Sequence, residues 1–265
     1  MSVHSYIQAM PKVELNVHLE GAIQRETLLL IAEQNDILST MKNLRQFNEW
    51  IALYDRPDYA RIDEIARTFA SWLLHPEDIT RVVYDLGVHL HRQNVRYAEV
   101  SVQPAIYTDS GMTFETFLDA LNDGRDRVER AWGVKMNWVL MIPRDRPRKG
   151  DDISRWAIGS AARKGNVVGM GICGREDLQP SAQFKKAFNS VQKKDVGTVT
   201  NARSWQNAED LGLILETLTP DRLTDSWSLN EEERALIAAR ELPLVITPTR
   251  ELRLNRIKAT SDYPL

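Results

Sequence analysis

Two polar side chains at the end of the first apolar segment have the spacing of a metal-binding pair. Asn16 and His18 stand two residues apart in the run N-V-H-L-E-G, and because side chains alternate across a strand, both point the same way. His18 is a good zinc ligand, whereas Asn16 is a neutral oxygen donor that zinc rarely selects. A single strand histidine is also commonly a hydrogen-bonded core residue, so the pair predicts at most a weak metal site.

The only cysteine of the chain, Cys173, is the best candidate nucleophile. A thiolate needs a nearby base or cation to lower its pKa, and His18 or a neighbouring arginine would supply it. With Asn16 or Asn201 as oxyanion donor, a Cys173–His18 pair would form a simple acyl-transfer site. Ser204 is a weaker candidate with the same base. The alternative is that Cys173 is a small buried packing residue.

Three arginines, Arg175, Arg203 and Arg250, each follow a strand-length apolar run and are expected to line one rim. The planar guanidinium group binds anions such as carboxylate and phosphate through two parallel hydrogen bonds. Acidic residues stand at comparable positions: Glu176, Asp225 and Glu251. The charges therefore either bind a small anionic ligand or pair with one another and close the pocket.

Seven apolar runs of strand length alternate with longer segments whose apolar residues lie three and four apart. The predicted strands cover residues 13–17, 98–102, 136–141, 167–173, 198–200, 222–224 and 242–246. Strands that are apolar on both faces indicate a parallel sheet covered by helices. Only one glycine, Gly21, follows the first strand, where a doubly wound nucleotide-binding sheet has a glycine-rich turn. We therefore predict an α/β fold, a (β/α)8 TIM barrel with its chemistry at the C-terminal strand ends.

Helical periodicity predicts the segments that connect these strands. A helical insertion follows the first strand, with helices over residues 25–34, 44–54, 63–74 and 76–92. Single helices are predicted over residues 114–132, 153–164, 182–193, 206–217 and 230–240. The charged segment 143–150 is predicted to be a solvated loop between a strand and a helix.

The composition is that of an ordinary globular protein, and its 265 residues are expected to form a single domain, 1–265. A net charge of −3 provides no basic field to hold nucleic acid or a membrane surface. One cysteine is typical of a reducing compartment, and no signal peptide or membrane span is recognisable. We expect a soluble cytoplasmic protein with no nucleic-acid or membrane partner; its oligomeric state is left open.

Residues 11–22, P-K-V-E-L-N-V-H-L-E-G-A, resemble the adenosine deaminase signature P-K-[AV]-E-L-H-x-H-L-E-G. Further resemblances follow in the family's order: R-Y-A-E-V at 96–100, V-V-G-M-G-I-C-G-R-E at 167–176, N-A-R-S-W at 201–205, R-L-T-D-S at 222–226 and P-T-R-E at 248–251. The resemblance covers nearly the whole chain. It implies a (β/α)8 zinc hydrolase that removes the 6-amino group of adenosine. It also implies that the last βα unit, with the family's metal-binding aspartate, lies beyond the end of this sequence, so that Asp262 is not that residue.

Most of the family's metal and catalytic positions carry other residue types here. The resemblance places them at Asn16, His18, Asn201, Ser204 and Asp225, of which only His18 is retained. Gly174 matches the glycine that approaches the base, and Arg175 replaces the acidic residue beside it. The resemblance thus implies that a small ligand in the barrel mouth would contact Gly174, Arg203, Arg175, Asn16 and Asn201.

We therefore expect an adenosine deaminase-like barrel, engineered or degenerate, that is not competent for adenosine deamination. No cofactor is expected, and zinc would bind at most weakly, at His18. Two alternatives stay open: an acyl or ester hydrolase that uses Cys173 with His18, and a weak metal-dependent hydrolase that uses His18 with Asp225. Whether the chain is an enzyme at all is not decided by these residues.

Overall fold

The structure is a computed structural model that describes residues 2–205, 208–259, 261 and 263. Seven strands are neighbours in chain order, and β1/β2, β4/β5, β5/β6 and β6/β7 pair in parallel. The strands are β1 (Lys12–His18), β2 (Val95–Val102), β3 (Lys135–Pro143), β4 (Val167–Cys173), β5 (Gly197–Asn201), β6 (Arg222–Thr224) and β7 (Leu244–Val245). Every predicted strand is present, and the predicted parallel arrangement is confirmed for these pairs.

Helices occupy the connections between the strands, as predicted, and one further helix stands before β1 and another after β7. They are α1 (Val3–Ala9), α2 (Arg25–Gln34), α3 (Ile37–Thr40), α4 (Leu44–Asp55), α5 (Ile62–Ala70), α6 (Pro76–Arg92), α7 (Pro104–Asp109), α8 (Phe114–Trp132), α9 (Gly150–Ala157), α10 (Ser160–Lys164), α11 (Lys185–Gln192), α12 (Leu211–Leu218), α13 (Glu231–Ala239) and α14 (Pro248–Arg253). The helical insertion between the first two strands is confirmed as α2 to α6. No helix of the described residues is long and apolar enough to span a bilayer.

Several predicted helix boundaries are wrong. The single helix over residues 153–164 is two helices, α9 and α10, because Gly159 between them has the extended backbone of a helix N-cap. The segment 182–193 begins as a 3₁₀ turn, Ser181–Phe184, before α11. The segment 206–217 becomes helical only at Leu211, and residues 206 and 207 lie outside the described residues. The helices α1, α3, α7 and α14 were not predicted, and none exceeds seven residues.

The chain divides into two compact units, Met1–Trp138 and Val139–Leu265. In the first unit α6 packs against α8 at Gly124, where a Cβ atom would come within 2.7 Å of the Thr80 carbonyl oxygen and of the Val83 side chain. Glycine at this position therefore permits the close approach of the two helices. The ends of α8 carry local signals, since the Thr113 hydroxyl accepts a hydrogen bond from the Thr116 N–H and Gly133 adopts a left-handed conformation.

In the second unit the segment 143–150 departs from the sequence prediction. Asp145, Arg146 and Arg148 are exposed, as a solvated loop requires, but the Arg144 side chain is completely buried. The Arg144 N–H donates to the Cys173 carbonyl at 2.9 Å, which connects the residue directly after β3 to the end of β4. The prediction of a solvated loop is therefore wrong for Arg144.

Candidate functional site

The strand ends of the second unit carry most of the predicted site residues. Cys173 and Asn201 are the last residues of β4 and β5, and Asp225 directly follows β6. The chain leaves β4 through Gly174, whose φ of 97° is a conformation that residues with a Cβ rarely adopt. Because β4, β5 and β6 are parallel, these ends lie at the same edge of the sheet.

Glu176 joins the turn after β4 to the turn after β5. Its carboxylate, which is buried, accepts hydrogen bonds from the Arg203 N–H at 2.9 Å and the Ser204 N–H at 2.7 Å. The Ser204 hydroxyl also donates to Glu176. Both oxygens of Glu176 are thus used inside the protein, and Ser204 is held by a carboxylate.

The Asn201 side chain is committed to neighbours within the second unit. Its Nδ2 donates to the Gly174 carbonyl at 2.8 Å and to the Ser204 hydroxyl at 3.1 Å. Its Oδ1 accepts from Nη2 of Arg144 at 3.5 Å. The one oxygen that Asn201 offers to a ligand therefore faces a guanidinium group.

Arg144 is the largest site feature that the sequence analysis missed. Its Nη1 donates to the Gln179 carbonyl at 3.0 Å, and its guanidinium lies over the Phe184 ring, 5.9 Å from the centroid. Burial lowers the pKa of Arg144, and the nearby Glu176 carboxylate acts in the opposite direction. Because an arginine keeps its proton in proteins, the buried Arg144 guanidinium places a permanent positive charge near the ends of β3, β4 and β5.

The predicted rim charges pair with acids of the second unit. Arg203 forms an ion pair with Glu233 at 2.8 Å. Asp225 lies 3.6 Å from Nη1 of Arg250 and accepts a hydrogen bond from the Thr247 hydroxyl at 2.9 Å. These contacts favour the alternative in which the rim charges pair with one another instead of binding a small anionic ligand.

Two of the substituted positions have an unusual backbone. Arg203 and Asp225 have φ angles of 57° and 58°, the left-handed region that costs residues with a Cβ roughly 1 kcal/mol. At position 203 the resembling family has glycine. Arg203 thus adopts a left-handed backbone conformation that glycine adopts more easily.

Two tryptophans at the strand ends contact arginines of the same unit. The guanidinium groups of Arg175 and Arg256 lie over the Trp205 ring, at 4.9 and 5.4 Å from its centroid. Arg256 also lies 4.8 Å from the Trp227 ring. Arg175 forms a further ion pair with Asp177 at 2.6 Å. These cation–π contacts stabilise the loops after β4, β5 and β6.

Cys173 has the surroundings of a packing residue. Its side chain is 9% exposed and lies in an apolar cluster with Val139, Met141 and Val199, and its Sγ is 3.9 Å from the Ile142 carbonyl oxygen. Asn16 and His18 belong to β1 of the first unit. Their pairing with Cys173, Ser204 or Asp225 stays a prediction.

A buried carboxyl group of the first unit, Glu20, also lies close to a predicted site residue in the sequence. Glu20, two residues after His18, accepts from the Gln103 N–H at 2.7 Å, and its Oε2 has no hydrogen-bond partner among the described residues. Burial raises the pKa of Glu20 to about 7, although the Gln103 N–H and the charge of Arg67 act in the opposite direction. Its position in the H-L-E-G run that resembles the family signature was the only signal in the sequence.

The donor set at the strand ends does not fit the zinc ion that the resembling family uses. Zinc sites take thiolate, imidazole and carboxylate ligands, whereas Asn201 turns its only oxygen to Arg144 and Asp225 is paired with Arg250. Within the described ranges no three histidine, cysteine, aspartate or glutamate side chains come together to hold a metal.

Comparison with known proteins agrees with the motif resemblance. A sequence model of the family described as adenosine deaminase matches residues 11–265. The aminodeoxyfutalosine deaminase of Streptomyces avermitilis is 24% identical, over 99% of this chain and 74% of its own length. The crystal structure of an adenine deaminase from Arthrobacter aurescens has a TM-score of 0.83 at 20% identity, covering 97% of this chain and 77% of that one.

A second solved structure, an amidohydrolase from Burkholderia ambifaria with bound Zn, has a TM-score of 0.82 at 23% identity. It covers 99% of this chain and 72% of that one. These likenesses confirm the predicted α/β barrel fold of the adenosine deaminase type. The bound zinc ion is a feature of that structure.

Proposed function

This chain belongs to the adenosine deaminase family, and we propose that it is a degenerate or engineered member that binds a small ligand without the zinc chemistry of its relatives. Adenosine deamination is then lost, and the fold serves as a scaffold. The ligand would lie at the C-terminal ends of the strands, near Gly174, Arg203 and Arg175.

One observation carries this proposal: the Oδ1 atom of Asn201 faces the buried guanidinium of Arg144. A divalent cation at that oxygen would be repelled by a positive charge that burial leaves poorly screened. The pairing of Asp225 with Arg250 supports the same conclusion, since a carboxylate already bound to a cation is a poorer metal ligand.

Zinc analysis of the purified protein, together with an assay for inosine formation from adenosine, tests the loss of activity. We expect substoichiometric zinc and no inosine above the uncatalysed rate. Stoichiometric zinc with measurable deamination would overturn the proposal. A second preparation with zinc present throughout purification is the control. It distinguishes a site that binds zinc weakly from a site that lost its zinc during purification.

The binding role is tested separately by thermal denaturation with inorganic phosphate and with AMP. The planar guanidinium group of arginine binds the phosphate oxygens of both probes, and a ligand that binds only the folded state raises the melting temperature. We expect a concentration-dependent rise that Arg175→Ala reduces. Arg45, exposed and paired with Glu49 in the first unit, provides the matched control, Arg45→Ala. No rise with either probe contradicts the binding role.

A further inference from the structure

A groove of about 770 Å³ runs along the seam between α6 and α8 in the first unit. Three side chains of each helix, spaced three or four residues apart and thus on one helix face, line it: Glu77, Arg81 and Tyr84 of α6, and Asp123, Arg127 and Arg130 of α8. In the chain α6 leads into β2 and α8 leads into β3, and both strands have a neighbour on each side in the sheet order. The groove is therefore formed by the direct packing of two helices that lead into interior strands.

Each helix presents one uncommitted arginine to this groove. Arg81 and Arg130 are exposed, and neither side chain forms an ion pair or a hydrogen bond with another described residue. Glu77 lies four residues before Arg81, a spacing that favours an ion pair, yet it too has no partner in the described part of the chain. All five N–H donors of each of the two guanidinium groups are thus available to a ligand.

The other polar side chains of the groove add donors more than acceptors. Arg127 donates from Nη2 and Nε to the Asp123 carboxylate, at 2.7 and 3.4 Å, so that carboxylate is already neutralised. The half-buried Tyr84 hydroxyl accepts from Nε1 of Trp132 at 3.2 Å, which leaves its own proton for a ligand. The groove is therefore rich in donors and carries more positive charge than its acidic residues balance.

We propose that this groove binds a small molecule with two adjacent phosphoryl groups, one held by Arg81 and the other by Arg130. A guanidinium group binds phosphate oxygens through two parallel hydrogen bonds. The volume of the groove is that of a small-molecule site, so there is room for the rest of the ligand. Because the two arginines belong to different helices, the bound molecule would connect α6 to α8. This inference is independent of the ligand proposed for the strand ends of the second unit.

Isothermal titration calorimetry with inorganic pyrophosphate measures the binding. We expect the unmodified chain to bind pyrophosphate, and Arg81→Ala and Arg130→Ala each to raise the dissociation constant about tenfold or more. Arg163→Ala removes the same charge at an exposed arginine of α10 whose side chain has no partner among the described residues, and it is the matched control. No binding of pyrophosphate, or equal binding by all four proteins, would overturn the proposal.

The same titration of Arg175→Ala separates the groove from the strand ends. Pyrophosphate binding at the groove should persist in this variant. Binding that is lost in Arg175→Ala and kept in Arg81→Ala would place the ligand at the strand ends and reject the groove. Hydrogen exchange gives the location independently, since exchange within 76–92 and 114–132 should slow when pyrophosphate is added.

Two further variants distinguish a shaped site from a diffuse charge. Glu77→Gln removes the unpaired carboxylate and should strengthen pyrophosphate binding several-fold, whereas Arg81→Lys keeps the charge without the fork and should retain only part of the affinity. Unchanged affinity in both variants would contradict the site. A hexaglutamate peptide that binds more tightly than pyrophosphate would show a surface for acidic protein segments, and would also reject the proposal. Circular dichroism confirms that each variant is folded.

Discussion

At position 203 an arginine side chain is attached to a backbone conformation that favours glycine. Its φ of 57° is unfavourable, whereas its side chain gains an ion pair with Glu233. The Glu176 carboxylate holds the N–H of Arg203 and of Ser204. The turn is therefore maintained by contacts from other elements, not by the local preference of residue 203.

Comparison of two substitutions at this position separates the backbone effect from the ion pair. Arg203→Ala and Arg203→Gly both remove the contact with Glu233, but only glycine relieves the left-handed strain. We expect the glycine variant to be more stable than the alanine variant by about 1 kcal/mol. Urea denaturation of both variants measures the difference, and equal stabilities would show that the conformation carries no strain.

The buried Glu20 predicts a pH dependence of folding. Its folded-state pKa, about 7, lies above the ordinary value of 4.5, so folding favours the protonated form. The corresponding stability is fully present below about pH 4.5, is lost as the pH rises to about 7, and amounts to roughly 3 kcal/mol.

Glu20→Gln keeps a neutral side chain at every pH and should remove this dependence. The free energy of unfolding of the unmodified chain, relative to that of the variant, should fall between about pH 5 and about pH 8. The exposed Glu26 supplies the control, Glu26→Gln. A constant difference between the unmodified chain and Glu20→Gln across this range contradicts the prediction.

Among the elements, those with local signals were predicted best. Helix α8 has the bounds that periodicity indicates, because Thr113 and Gly133 mark its ends. The break between α9 and α10 was missed because a glycine inside an apolar pattern is ambiguous. The roles of Arg144 and Glu176 were also missed, since their partners lie 27 to 57 residues away in the chain. Such contacts leave no local pattern.

The loops after β4 and β5 are connected by the hydrogen bonds that the Glu176 carboxylate accepts. Glu176→Ala leaves the buried Ser204 N–H and the part-buried Arg203 N–H without their acceptor and should reduce the free energy of unfolding by about 3 kcal/mol. Glu216, exposed on α12, is the matched position, and Glu216→Ala should have little effect. Similar losses for both variants in chemical denaturation would refute the special role of Glu176.

At Gly124, where α8 packs against α6, we expect alanine to destabilise the protein, although alanine in place of glycine normally stabilises a helix. Replacement of a helical glycine normally stabilises, but the new Cβ of Gly124→Ala would meet Thr80 and Val83 at 2.7 Å. We expect a loss of about 2 kcal/mol. Asp119→Ala, at an exposed position of α8, should be neutral or slightly stabilising. A more stable Gly124→Ala variant would mean that the helices separate without cost.

For the molecule as a whole, the fold is that of its relatives, whereas the polar side chains at the strand ends are paired with one another. The fold agrees with relatives at TM-scores above 0.8, while Asn201 and Asp225 are bound to arginines. Apolar patterning tolerates many substitutions, so the motifs predicted the fold. The charge pairs at the strand ends depend on distant residues, so the sequence left their arrangement open.

Removal of metal with a chelator tests whether a bound metal contributes to the stability of the whole molecule. A metal that binds only the folded state at a hundred times its dissociation constant adds about 2.7 kcal/mol to stability. We expect EDTA to leave the melting temperature unchanged, because the donor set does not fit zinc. A marked fall with EDTA, reversed by zinc, would contradict this expectation.

The burial of Cys173 has a practical consequence. It is the only thiol of the chain, and it lies at the end of β4 among apolar side chains. A thiol reagent can reach it only when the surrounding strands open, so the rate of labelling in native buffer reports how often they do so. The labelling rate of Cys173 therefore measures the local opening of these strands in the unmodified chain, without an introduced cysteine.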